Sequence, residues 1–226
     1  MTAAKLKSVI LDAAQVRRVQ EHGKLVRFVV IYPQPPQVIV ARYCDYSDKF
    51  DRDNVWQYQV AETDKDSGIT FNAVHYFGDG LCPFSPGERV WCKEEWRVAS
   101  LTVPGVISKT GEGVVYFVND PVPERSKSAW RPAADMPQHH SRLTLELASV
   151  EPVQIQDVSE EDAIAVGIER VGPGAFGFRD YEGDVGATFE PWESFCTLWD
   201  STHTKPEEQW DANPWCWKEA WTKVEA

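Results

Sequence analysis

Apolar and polar positions alternate along most of this chain, and helical spacing interrupts the alternation in three places. Residues 8–11 read as a short strand. Asp12 then serves as an N-cap, 13–21 as a helix and Gly23 as its stop, which puts Lys24 in the turn leaving the helix. Residues 27–32 are apolar and rich in valine, a strand that Pro33, Pro35 and Pro36 end. Further strands are predicted over 55–60, 69–76, 114–118, 143–150 and 214–224. Ser159-Glu-Glu-Asp162 is a capping box in its weaker Asp form, opening a helix to about Val166 that Gly167 closes. A third helix over 189–200 carries Trp192, Phe195 and Trp199 as its apolar stripe. The stretch 119–140 is proline-rich and irregular, and 172–186, with five glycines, reads as a loop.

The strand over 89–98 is the most informative. At a period of two, Val90, Cys92, Glu94, Trp96 and Val98 share one face, and Arg89, Trp91, Lys93, Glu95 and Arg97 the other. Glu94 is therefore a carboxylate on a mostly apolar face. Counted together, seven to nine strands with three single helices among them predict an α+β fold, a mixed β-barrel with flanking helices rather than a doubly wound sheet. One domain over 1–226 is expected, with an acidic, hairpin-rich insert at about 43–80.

Ten tryptophans and 42% hydrophobic residues supply a core, which excludes wholesale disorder. The longest apolar run, around Phe28–Tyr32, is far short of the roughly 20 residues that span a bilayer. No stretch near the N-terminus has signal-peptide length. With five scattered cysteines in no zinc spacing, the expectation is a cytoplasmic protein with reduced thiols, no membrane, no metal and no cofactor. The adjacent His139 and His140 would point opposite ways on a strand, which argues against a shared metal. Net charge is −12, against a generic polyanion binder. It is uneven: residues 1–42 carry +5, leaving −17 for the rest, so a basic end able to hold one phosphate or a short strand sits on an acidic body.

Four segments resemble a known family. They are 9–24 with the lysine turn at Lys24, Cys82-Pro-Phe-Ser-Pro-Gly-Glu-Arg-Val-Trp-Cys-Lys-Glu-Glu-Trp96, Trp130-Arg-Pro132 with Ser141-Arg-Leu-Thr-Leu-Glu146, and Trp210-Asp-Ala-Asn-Pro-Trp-Cys-Trp217. In this order they resemble the phage and prophage ASCH-like proteins of the PUA-like superfamily. That resemblance implies a PUA-like barrel with a cleft beside the first helix, binding RNA or a modified nucleobase or nucleoside. Some small members resemble amidohydrolases that deacylate N4-acylated cytidine, using a Gly-x-Lys-x-x-Thr turn and a carboxylate. Here Lys24 matches the lysine, Gly23 is displaced by one position, and Arg27 stands where the threonine is expected.

These residues define the candidate chemistry. Lys24 and Glu94 are the candidate catalytic pair, able together to activate a water, since a lysine beside a cation and a carboxylate on an apolar face both have shifted proton affinities. Arg27 and Arg142 are candidate ligand-binding cations, and Trp91, Trp96 and Trp130 candidate stacking surfaces for a base. Three functions follow: a nucleic-acid or modified-nucleoside binding module, an amidohydrolase acting on an acylated nucleoside, or a phage protein that binds a host protein through an acidic surface mimicking nucleic acid. In the last case Asp45, Asp48, Asp51 and Asp53 are the residues of interest.

Overall fold

Asp12 opens the first helix with both halves of a capping box: its side chain accepts the Gln15 backbone N–H, and the Gln15 side chain accepts the Asp12 N–H. Gly23 closes that helix at φ 66°. The structure is a computed structural model that describes residues 6–32, 34, 41–42, 56–63, 70–77, 83–99, 113–116, 118, 129–171, 176–183 and 186–224. Its first elements are β1 (Lys7–Ile10), α1 (Ala13–His22), β2 (Lys24–Val30), β3 (Ala41–Arg42), β4 (Trp56–Thr63) and β5 (Thr70–Phe77). Then follow β6 (Arg89–Lys93), β7 (Trp96–Ala99), β8 (Gly113–Tyr116), β9 (Thr144–Gln154) and α2 (Glu160–Val166). The chain continues through β10 (Phe178–Arg179), β11 (Ala187–Thr188), α3 (Pro191–Thr202) and β12 (Trp215–Lys223).

The main sheet has the order β1-β6-β9-β12-β2 and is antiparallel except for β1 with β6. The fold is mixed α and β with three α-helices, as the pattern predicts. The barrel is not observed: among the described residues this sheet is open, with β1 and β2 as its edges. The chain joins those two edges through α1, and a helix with a buried apolar side stands where a closing ladder would have to run. The strands β3, β4 and β5 form a sheet of their own, in which β4 and β5 pair antiparallel. The four aspartates singled out in the predicted insert lie outside the described residues, as do most of the acidic turns.

Two apolar clusters sandwich the sheet. Val16 and Val19 of α1 pack with Leu25, Val90, Leu145, Leu147 and Trp221 on one face. Ala163 and Val166 of α2, and Phe195 and Trp199 of α3, pack with Cys216, Val26, Phe28 and Val30 on the other. Strand β2 thus sends alternate residues to the two clusters, the mark of a strand covered on both sides. Because β2 is an edge, α1 and α2 also meet beside it, which shields its unpaired backbone from a further strand.

Four local expectations change. Lys24 is the first residue of β2, not part of a turn. The segment 89–98 is two strands with a break at Glu94–Glu95, because β7 leaves β6's sheet to pair with β8. Trp192 is 43% exposed, and the buried stripe of α3 is Pro191, Ser194, Phe195 and Trp199. His139 and His140 lie in a 3₁₀ turn with ring centroids 4.1 Å apart rather than on opposite faces of a strand.

Gly167 caps α2 at φ 107°, and a Cβ there would sit 3.4 Å from the Ala14 carbonyl oxygen in α1. The left-handed backbone conformation favours glycine, while a Cβ at that distance would make an ordinary contact with α1. Gly167→Ala is expected to cost about 1–3 kcal/mol in urea unfolding; an unchanged midpoint would show that α2 can end differently.

Candidate functional site

Two buried carboxylates face arginines on the inner side of the main sheet. Glu94 follows β6 directly and is 2% exposed. Arg142 precedes β9 and donates to it in a fork, Nε to Oε1 at 2.8 Å and Nη2 to Oε2 at 2.7 Å. The segment 130–141 covers the pair: the Glu94 backbone N–H points at Met136 Sδ at 3.4 Å, and Ser141 Oγ donates to the Cys92 carbonyl at 2.8 Å. The second carboxylate is Glu219, in the middle of β12 and fully buried. The β2–β12 register sets it opposite Arg27, with Nη1 3.7 Å from Oε2. Trp221 Nε1 donates to the same oxygen at 3.0 Å, while Oε1 has no hydrogen-bond partner among the described residues. Burial pushes the Glu219 carboxyl above its ordinary range; Arg27 and the Trp221 hydrogen bond oppose this.

Glu219 was not singled out from the sequence, although the signal is there. Trp215, Trp217, Glu219 and Trp221 alternate along β12, so Glu219 is a carboxylate on an apolar strand face, as Glu94 is.

Two chambers meet at Asp12 and Ala13, the start of α1. One, of about 310 Å³, reaches Glu94 between Leu11, Val16 and Pro132. The other, of about 370 Å³, lies beside the β2 edge where the three helices converge. Its walls include Phe28, Tyr181, Trp199 and His203, and its polar groups include Gln15, Arg27 and Thr202. His203 stacks on Trp199 with centroids 3.8 Å apart and planes 14° from parallel. Tyr181 Oη accepts the Glu169 backbone N–H at 2.9 Å, which leaves its own proton to donate.

The candidate residues separate into groups. Glu94 and Arg142 come together as a buried pair, and Arg27 lines the aromatic chamber. Lys24 joins neither. It is exposed, pairs by register with Thr222, and lies three strands from β6, roughly 14 Å across the ladder. In register it is level with Arg89, five residues before Glu94. The two form no ion pair. Trp96 is 3% exposed beneath the Arg131 guanidinium, 5.0 Å away, and Trp130 carries Arg97 at 4.5 Å. Trp91 is half-buried, donates to the Leu6 carbonyl at 3.2 Å and lies under Lys93. None of the three lines either chamber.

No protein-family model, curated protein or solved structure matches the chain. The site is therefore judged on its own chemistry. Cys92 sits next to Glu94, but burial first and the Glu94 charge second push its thiol up to about 12, so it is no nucleophile at neutral pH. Among the described residues no group of histidines, cysteines and carboxylates could hold a metal. No helix of the described residues is long and apolar enough to cross a membrane.

Removing Arg142 leaves Glu94 buried without a counter-charge. Arg142→Ala is expected to lower the unfolding free energy by about 3–5 kcal/mol in urea titration, and Glu94→Leu with Arg142→Met by clearly less. Equal losses from both would mean that the space they fill, not their charge, carries the effect. Glu219 titrates in the opposite sense to a paired surface carboxylate. Its raised pKa means that the folded state holds the proton more tightly than the unfolded one. Its stabilising contribution is therefore complete below the ordinary 4.5 and fades as pH rises through the raised value. Glu219→Gln lacks that fade, so its melting temperature relative to the unmodified protein should climb as pH rises from the ordinary 4.5 through the raised value. A difference that stays flat over that interval would refute the assignment.

Proposed function

We propose that this protein is a PUA-like (ASCH) binding module whose cleft beside α1 takes a modified nucleobase or nucleoside. The observation that carries this reading is the aromatic chamber with Arg27 at its floor. A base needs flat partners above or below it and polar groups at its edge. Phe28, Tyr181 and His203 supply half-buried ring surface, while Arg27, Gln15 and Thr202 supply the edge. At about 370 Å³ the chamber is at the lower end of the roughly 300–1,000 Å³ typical of small-molecule sites, room for one nucleoside and little more.

Electrostatics support a small ligand over a long nucleic-acid track. Of the N-terminal cations, Lys7 pairs with Glu88 at 2.9 Å, Arg17 with Glu169 at 2.7 Å and Arg27 with Glu219. Among the described residues they leave no continuous basic stripe, on a chain of net charge −12. Hydrolysis finds less support. Lys24 is remote from Glu94, both Glu94 oxygens are taken by Arg142, and the nearby Cys92 thiol is held protonated.

The test is isothermal titration with N4-acetylcytidine and related modified nucleosides, with chromatography of the same samples. Saturable binding without release of cytidine is expected, weakened about fivefold or more by His203→Ala through lost stacking. Release of cytidine would replace this reading with hydrolysis. Absence of binding by any nucleoside to folded protein would overturn it, and capture of a host protein instead would turn attention to the acidic insert.

A further inference from the structure

A third cavity, of about 430 Å³, continues from the aromatic chamber along the other side of α1 and shares Ala14, Arg17, Gly167 and Glu169 with it. Three arginines line it: Arg17, Arg18 and Arg170. Its acids are Glu21 and Glu169. Glu169 is already engaged twice, by Arg17 at 2.7 Å and by Arg179 at 3.0 Å. Glu21 is 66% exposed and leans toward His22.

Arg18 and Arg170 are left. Neither has a carboxylate within ion-pair distance among the described residues. Arg18 Nε is buried and has no hydrogen-bond partner there. Arg170 rests its guanidinium 4.8 Å over the Phe178 ring, which holds the group in place without neutralising it. Two uncompensated guanidiniums facing one cavity stand out on a chain with 35 acidic and 23 basic side chains, where Arg17, Arg27, Arg89, Arg142 and Arg179 each find a carboxylate. Two rigid forks of donors suit a tetrahedral dianion, which accepts paired hydrogen bonds from each.

We propose that this groove is a phosphate site. Resting on the reading of the aromatic chamber as a base pocket, the ligand of the cleft is then a nucleoside monophosphate: the base lies between Phe28, Tyr181 and His203, and the phosphate between Arg18 and Arg170. The walls shared by the two cavities put the groups next to each other, as sugar and phosphate follow the base in a nucleotide.

The full chain would be titrated with inorganic phosphate, followed by ³¹P line width, and with cytidine and cytidine monophosphate by calorimetry. Arg18→Gln and Arg170→Gln would be compared with Arg89→Gln, a control whose partner Glu146 lies elsewhere on the surface. The proposal expects phosphate broadening that either groove variant reduces about tenfold and the control leaves intact. It also expects the monophosphate to bind tighter than the nucleoside, with that gain lost in the groove variants. Phosphate that does not bind, or binds equally well to both groove variants, overturns the site, whatever nucleosides do. Phosphate binding with no nucleoside binding keeps the groove and discards the base pocket. An RNA oligonucleotide that binds far more tightly than the monophosphate, with steep salt dependence, overturns the small-nucleotide form of the proposal.

Discussion

The register of β12 is the constraint from which the rest of the structure follows. This strand pairs with β9 along nine residues and with β2 along seven, so it lies inside the sheet although it follows every other described strand in the chain. Its register places Glu219 opposite Arg27 and Trp221 opposite Leu25 and Leu147. A slip of one residue would turn Glu219 toward the α2–α3 cluster and Cys216 toward α1, burying a carboxylate among side chains that offer it nothing. The cost of a misplaced charge thus reinforces the pattern of the tryptophans in selecting one alignment. At Ala220–Trp221 the ladder with β9 shifts through a bulge that leaves Ala148 of β9 without a partner in the register.

Charge placement in this protein divides into two kinds. On the surface, pairs such as Arg89–Glu146 are exposed to solvent and add little to stability. Inside, Glu94–Arg142 and Glu219–Arg27 differ in quality. The first is a fork in which each oxygen has its own donor; the second is longer and leaves one oxygen to its surroundings. A bidentate pair holds the segment before β9 against the end of β6 and so has a structural role. A looser pair facing a chamber leaves Arg27 free to turn toward a ligand while Glu219 remains its anchor.

Much of the fold could be read from the residues because local rules dominate it. Asp12 and Gly23 bound α1, Ser159 and Gly167 bound α2, and alternation marks β9 and β12. The break between β6 and β7 was not legible, since the period of two continues through Glu94–Glu95 and only the change of partner, from β9 to β8, ends the strand. Closure of the sheet was not legible either, because it depends on which strands become edges. The site was half legible. The apolar face of β6 marks Glu94, and the same reasoning marks Glu219. The partner of Glu94 is set by a contact across 48 residues, which no spacing reveals. Lys24 illustrates the opposite error: a basic residue after a helix cap suggests a turn, yet its neighbour across the ladder is Thr222.

The interior position of β12 also governs when the fold can form. Strand β2 is made well before residues 215–223, its only ladder partner in the main sheet among the described residues. Until they arrive, β2 and one side of β9 are open edges, and the helices that should cover β2 have no finished sheet to pack on. Such long-range pairing makes folding slow relative to helix formation and holds it back until β12 has been made. A nascent chain of this topology therefore carries an unpaired valine-rich strand until β12 has been made, and through that interval the strand is open to another partner.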